Sequence, residues 1–287
     1  LQENTPMKII ECPRDAMQGL HEFIPTEKKV AYINALLKVG FETIDFGSFV
    51  SPKAIPQMSD TADVLAQLQL GGSKSKLLAI VANVRGAEAA SAFDEIAYLG
   101  YPLSLSETFQ QRNTNRSIDE AMNNLAEIQE ICEETDKTMV TYLSMGFGNP
   151  YGDPYEMNYI GEFVSQLDEL EVQIVSLSDT IGVATPELIT QVFSSVIPKF
   201  PHIEFGAHLH STPDQAASKV VAAYEAGCRR MDGAIRGFGG CPMAKDDLTG
   251  NMPTEVILKT LEELGCHSEL NQEGFDESLA LSHSVFG

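Results

Sequence analysis

Val172–His210, VQIVSLSDTIGVATPELITQVFSSVIPKFPHIEFGAHLH, is the stretch whose reading settles the architecture. Two β-branched runs, Val172–Ser178 and Ile203–His210, flank an amphipathic segment. Each run ends in polar residues, Ser178-Asp179-Thr180 after the first and His208-Leu209-His210 at the second. Short apolar runs alternating with helical patterns are the mark of βα units in a parallel sheet. The same rhythm continues in both directions. Further strands are predicted at Met7–Cys12, Thr43–Phe46, Leu77–Ala82, Glu95–Leu99, Thr138–Ser144 and Arg229–Gly233. Between them, Glu27–Val39 places Val30, Ile33, Leu36 and Leu37 on one helical face, and Ser117–Glu134 opens on Ser-Ile-Asp-Glu, a capping-box pattern. Gly40 and Gly227 stand where helices end, since glycine adopts a left-handed cap most easily. Eight such units in 287 residues predict an α/β fold, a (β/α)8 TIM barrel forming a single domain over residues 7–265, with a C-terminal helical extension over 266–287. An open doubly wound sheet would carry a glycine-rich turn after its first strand. Here that turn reads Cys-Pro-Arg-Asp-Ala-Met-Gln, which cannot cradle a pyrophosphate.

Composition narrows the function. Forty-one acidic against 19 basic side chains give a net charge of −22, which repels phosphate backbones and anionic lipid heads, so neither nucleic acid nor a membrane surface is an expected partner. With 43% hydrophobic and 21% charged residues the chain can bury a large core. No run approaches the roughly 18 apolar residues needed to span a bilayer, and the opening LQENTPMK lacks the basic and apolar regions of a signal peptide. Five cysteines, an odd number without Cys-x-x-Cys spacing, fit reduced thiols. A cytoplasmic protein is expected.

A barrel binds its ligands at the C-terminal ends of its strands, so the ionisable residues there carry the functional reading. Arg14 and Asp15 follow the first strand, Asp45 ends the second, Asp179 ends the sixth, and His208 and His210 end the seventh. Alternate residues of a strand share a face, so the two imidazoles point the same way about 7 Å apart along the backbone. They can chelate a divalent ion or serve as two separately hydrogen-bonded histidines. Barrel closure brings Asp15 opposite them, because the first and seventh strands both flank the eighth. One carboxylate and two imidazoles suit Mg²⁺ or Mn²⁺, with Zn²⁺ or Co²⁺ as alternatives. After the eighth strand, Gly237-Phe238-Gly239-Gly240-Cys241-Pro242 reads as a lid that carries a thiol over the mouth, or else as a plain glycine turn. Arg14 and a metal nearby would favour a Cys241 thiolate. Cys12, Cys132, Cys228 and Cys266 lack such company and read as core or surface filler.

Five segments in register, Glu11–Gln18 (ECPRDAMQ), Ser48–Met58 (SFVSPKAIPQM), Ser176–Pro186 (SLSDTIGVATP), His208–His210 (HLH) and Gly237–Pro242 (GFGGCP), resemble the 3-hydroxy-3-methylglutaryl-CoA lyase family. The resemblance runs from about Met7 to Gly265. It implies a metal-dependent TIM barrel in which Asp15, His208, His210 and Asn251 hold the cation, Arg14 stabilises a thioester enolate, Asp45 is the acid on the second strand, and Cys241 transfers a proton. It also implies an acyl-CoA substrate and a homodimer.

The chain departs from the family pattern at several positions. Ala16 stands in place of a glycine, Gly19-Leu20 in place of an Asn-Glu pair, and Asp45 is one methylene shorter than the family's acid. Ser211 replaces the Asp that usually follows the second histidine, and the segment from Cys241 to Asn251 is one residue longer. A serine brings no charge to orient neighbouring ligands, a loss that typically costs about 10–100-fold in metal affinity or activity. Two other readings therefore stand beside the lyase: an aldolase or condensing relative acting on another hydroxy acid, and a diverged, non-catalytic barrel that binds metal or metabolite. Lys53, Arg85, Arg112, Arg116 and Lys245 lie in or near predicted mouth loops as candidates for the phosphates of CoA, or as solvated surface charges.

Overall fold

The computed structural model describes residues 6–240 and 249–287. The eight strands among them are β1 (Lys8–Glu11), β2 (Thr43–Ser48), β3 (Lys76–Ile80), β4 (Ile96–Ser104), β5 (Thr138–Ser144), β6 (Ile174–Asp179), β7 (Glu204–Leu209) and β8 (Arg230–Gly233). All neighbours pair in parallel, and β8 returns to β1, closing the barrel. In chain order the helices are α1 (Pro13–Gln18), α2 (Thr26–Val39), α3 (Thr61–Leu65), α4 (Val84–Ser91), α5 (Glu107–Thr114), α6 (Ile118–Glu134), α7 (Met157–Glu169), α8 (Pro186–Val196), α9 (Pro213–Glu225), α10 (Thr254–Glu263) and α11 (Gln272–Phe286). No helix among the described residues is long and apolar enough to cross a membrane.

The local signals act as the sequence suggests. Ser117 accepts the Glu120 amide while the Glu120 carboxylate accepts the Ser117 amide, a complete capping box at the start of α6. Gly40 closes α2 at a φ of 87°. The fourth strand is the exception. A strand ending at Leu99 is expected, yet β4 runs on through Gly100-Tyr101-Pro102 to Ser104. Closure of the barrel overrides the local signal: a Cβ at Gly100 would meet Ile80, Leu78 and Tyr142, and the Tyr101 hydroxyl donates to the Ala121 carbonyl at 3.0 Å. Packing of this density rewards the extended conformation more than the turn propensity opposes it.

Most of the core lies between strands and helices, while Leu78, Tyr98, Val140, Tyr142 and Ile174 fill the barrel interior. Beneath them Arg230, fully buried, donates to Glu204 at 3.2 Å. The segment that follows β8 is pinned to β1 by Glu11, whose carboxylate accepts the Ile235 amide at 2.8 Å and the Thr254 hydroxyl at 2.5 Å. The C-terminal extension packs α11 along α2 and ends at the mouth, where Phe286 stacks on Phe238 at 4.7 Å and meets Tyr32 edge-on at 5.7 Å.

Gly86 allows α4 to lie against the Ser48–Met58 segment, since a Cβ there would sit 2.4 Å from the main-chain oxygen of Phe49. Alanine is favoured over glycine in a helix by about 1 kcal/mol, but overpacking against backbone costs about 1–3 kcal/mol. Gly86→Ala is expected to lower the urea midpoint, and an unchanged or raised midpoint would mean the two segments separate freely.

Candidate active site

Arg14 and Asp15 lie on α1, which Pro13 starts and which sits directly on the end of β1. Both side chains are buried, which a guanidinium and a carboxylate tolerate only when paired. Asp45 supplies the pairing from inside β2: Arg14 Nε donates to both its oxygens at 3.1 and 3.0 Å, and Nη2 donates to Oδ2 at 2.6 Å. Arg14 Nη1 reaches Asp15 Oδ1 at 3.0 Å and Gln18 Oε1 at 2.8 Å. The shorter acid on the second strand thus still holds the guanidinium in a fork, because the arginine stem spans the gap. Burial pushes Asp45 up to about 6, partly offset by Arg14. Burial also opposes the Asp15 charge, but Arg14 and then the two histidines outweigh it and bring Asp15 to about 2.

Across β8, His208 and His210 do point the same way, with ring centroids 5.4 Å apart. One ligand atom from each of Asp15, His208 and His210 lies within 4.8 Å of the other two. The two rings are held differently. His208 Nδ1 meets Asp232 Oδ2 at 2.9 Å, and because a carboxylate can only accept, Nδ1 carries the proton and Nε2 is left as a lone-pair donor. Burial lowers the His208 pKa, yet the Asp232 hydrogen bond and charge raise it on balance. His210 is buried with no well-formed hydrogen bond to either ring nitrogen among the described residues, and burial, then His208, lowers it to about 4 against a smaller opposing effect of Asp15 and the Thr180 main chain. A neutral, buried imidazole without a partner is costly unless something accepts its lone pair. One guanidinium against two carboxylates also leaves the cluster net negative. Both observations fit a divalent cation among Asp15, His208 and His210.

Asn251 is also here. Its amide donates to Asp15 Oδ2 at 2.6 Å and to the Phe238 carbonyl at 2.8 Å, and it bridges His210 through the backbone. Gly239, at a φ of 101°, makes room for this: a Cβ would stand 2.5 Å from the Asn251 amide nitrogen and 2.8 Å from the Asp15 carbonyl. Cys241 lies outside the described residues, as does Lys245.

Arg14, Asp15, Tyr142, His208 and His210 face a cavity of about 480 Å³, with Arg112 and Arg116 also on its wall. Of the candidates for phosphate contact, Lys53 and Arg85 do not line it. Arg116 is spent on the Ala82 carbonyl at 2.7 Å, whereas Arg112 is exposed and stacks 4.7 Å over the Tyr151 ring. Ser211 donates its hydroxyl to the Thr212 carbonyl at 2.8 Å.

Sequence reasoning missed Asp232, although an acidic residue inside the predicted strand Arg229–Gly233 was a signal. It also misjudged Cys12, which is not isolated filler but lies within 4.8 Å of His208 and Asp232. Burial, then the charges of Asp232, Asp45 and Asp15, push its thiol well above the ordinary range.

Comparison with known proteins adds independent findings. A family model described as HMGL-like matches residues 7–280. The mitochondrial hydroxymethylglutaryl-CoA lyase of Mus musculus is 33% identical over 269 residues, 92% of this chain and 81% of that protein. Among solved structures, an HMG-CoA lyase from Brucella melitensis superposes with a TM-score of 0.90 at 29% identity, covering 98% of both chains. One from Acinetobacter baumannii, in complex with coenzyme A and 3-methylmalate, gives 0.89 at 28% identity over 98% of this chain and 91% of that one.

Removing the carboxylate behind His208 frees its ring. Asp232→Ala is expected to weaken Mn²⁺ binding about 10–100-fold by calorimetry with the fold retained. Undiminished affinity would mean the ring is held by other contacts.

Proposed function

The chain belongs to the HMGL-like family, and on that premise we propose that it is a divalent-metal-dependent carbon–carbon lyase that cleaves 3-hydroxy-3-methylglutaryl-CoA to acetyl-CoA and acetoacetate. The observation that carries this reading is the meeting of a fixed guanidinium with the Asp15, His208 and His210 cluster on one cavity. In the reaction the tertiary hydroxyl loses its proton, its C–O bond becomes the ketone of acetoacetate, and the breaking carbon–carbon bond leaves its electron pair as the enolate of acetyl-CoA. A proton delivered to that carbon completes the product.

Asp15, His208 and His210 would hold the cation, Mg²⁺ or Mn²⁺ with Zn²⁺ or Co²⁺ as alternatives, and Asn251 joins them or orients Asp15. When bound, such an ion polarises the substrate's oxygens and lowers the cost of deprotonating the hydroxyl. Arg14 is assigned the enolate oxygen. Its guanidinium is immobilised by Asp45, Asp15 and Gln18 before substrate arrives, so no reorganisation is needed as negative charge develops. Asp45 acts by aiming that group. Cys241 is assigned the protonation of the enolate carbon, a reading supported by Gly239, which stands two residues before it in sequence and lies against Asp15 and Ala16 of α1.

Arg112, whose guanidinium on the cavity wall stacks on Tyr151 and makes no ion pair among the described residues, is assigned to the phosphates of CoA. The reading keeps a cytoplasmic location, which the free thiols of Cys12, Cys132, Cys228 and Cys266 suit, and a homodimer as the assembly.

The decisive experiment incubates the purified protein with the thioester and Mg²⁺ or Mn²⁺ and assays acetoacetate. Metal-dependent product is expected, and its absence overturns the proposal. Arg14→Gln should lower kcat about 100- to 1000-fold with KM little changed, the size of effect seen when an oxyanion-stabilising donor is removed. Arg112→Ala should instead raise KM for the CoA thioester and leave kcat near its parent value.

A further inference from the structure

The inner face of α9 is formed by Ala216, Lys219, Val220 and Ala223, and three of these four are the small or apolar residues such a face requires. Lys219 is not. Its side chain is 1% exposed, as is that of Asp179. An ammonium taken out of water costs several kcal/mol unless it is paired and its donors are filled. Lys219 fills all three: Nζ donates to the His210 carbonyl at 2.8 Å, to Asp179 Oδ2 at 3.1 Å and to the Gly182 carbonyl at 3.3 Å. One charge therefore ties together the residue after β7, the last residue of β6 and the loop that follows it. Asp179 stiffens that loop further by accepting the Val183 and Ala184 amides at 2.9 and 3.0 Å.

The position of this tie matters because of how His210 is held. The His208 ring has a carboxylate, Asp232, behind it, whereas among the described residues the His210 ring has no side-chain partner and makes no well-formed hydrogen bond, with only the Thr180 main chain nearby. Its direction is set by its main chain and by packing. Ser211, next in sequence, offers only a hydroxyl bonded to its own neighbour. The remaining main-chain contacts run to the same braced region: Ser211 donates its amide to the Gly250 carbonyl at 3.0 Å, and a Cβ at Gly182 would meet Thr249 at 2.7 Å. Lys219 thus holds His210 directly, and it holds the loop against which Thr249, and through it Asn251, is packed.

We propose that Lys219 is a positioning residue: with Asp179 it clamps the His210 main chain so that the imidazole stays in the cluster with Asp15 and His208, the task that a charged residue at position 211 would otherwise share. The proposal rests on the metal-site reading above for its consequence but not for its geometry, and the test separates the two.

Histidine-labelled protein without metal is compared by NMR as parent and as Lys219→Met, with the His210 ring resonance assigned from a His210→Gln spectrum. The His210 resonance is expected to shift or split in Lys219→Met while that of His208 moves little. Mn²⁺ dissociation, measured on the same samples, should rise about 10–100-fold. Lys29→Met is the control for simple loss of stability. It removes another buried pair, Lys29 with Asp60 at 2.6 Å, and should lower the melting temperature without changing the His210 resonance. If Lys219→Met does not fold, Lys219→Gln, which keeps one donor without the charge, is read in the same way. An unmoved His210 resonance in the folded variant, or an equal change in Lys29→Met, overturns the proposal. A parent protein that forms no acetoacetate overturns the lyase reading alone.

Discussion

The seam between β1 and β8 is the constraint on which the mouth of this barrel depends. Lys8 to Glu11 pair in register with Arg230 to Gly233, and the Cys12 amide continues the ladder to the Gly233 carbonyl at 2.9 Å. Nothing local joins Asp15 to the histidines nearly two hundred residues away. Closure does, by placing the first and seventh strands on either side of the eighth. Were the sheet open, Asp15 and His208 would stand on opposite edges and no shared ligand could reach both. Glu11, holding the Ile235 amide and the Thr254 hydroxyl, secures the same seam at its upper end.

Around that seam the protein uses buried charge for placement. Arg14 with Asp45, Lys219 with Asp179, and Lys29 with Asp60 are each a cation and a carboxylate removed from water. Such pairs contribute little net stability, since desolvation offsets most of the attraction. Their value is directional. A guanidinium gripped at three nitrogens cannot swing, and an ammonium with three filled donors cannot choose another carbonyl. A chain with a net charge of −22 thereby holds a guanidinium fixed at the mouth of its barrel.

The departures from the family pattern also find physical places. Asp45 still reaches Arg14, so its shorter stem alters no contact that matters to the guanidinium. Leu20, standing where the pattern has a polar residue, joins Met17, Ile24 and Met58 in a small apolar cluster under α1 that Phe286 also reaches. Ser211 supplies no charge, and the charge nearest the His210 main chain comes instead from α9. The mouth is therefore assembled from different supports while the cluster at its centre is retained.

The βα rhythm was legible in the sequence because strand and helix periodicities are local, and the His208 and His210 pair was legible because two residues of one strand share a face by geometry alone. Resemblance supplied Asn251, and the role of Asp45, without their contacts. The run of β4 past Leu99 was not legible, since the packing around Gly100 comes from Ile80, Leu78 and Tyr142 on other strands. Neither Asp232 behind His208 nor Lys219 beneath His210 was identified, although each left a trace as a charge in an apolar context. By itself the sequence determined the order of elements and which chemical groups sit at strand ends, both consequences of near-neighbour sterics and hydrophobic patterning. Only the tertiary structure decided which further groups, such as Asp232 and Lys219, join Asp15 and the histidines and which way each one faces, because closure and burial act between residues that are distant along the chain.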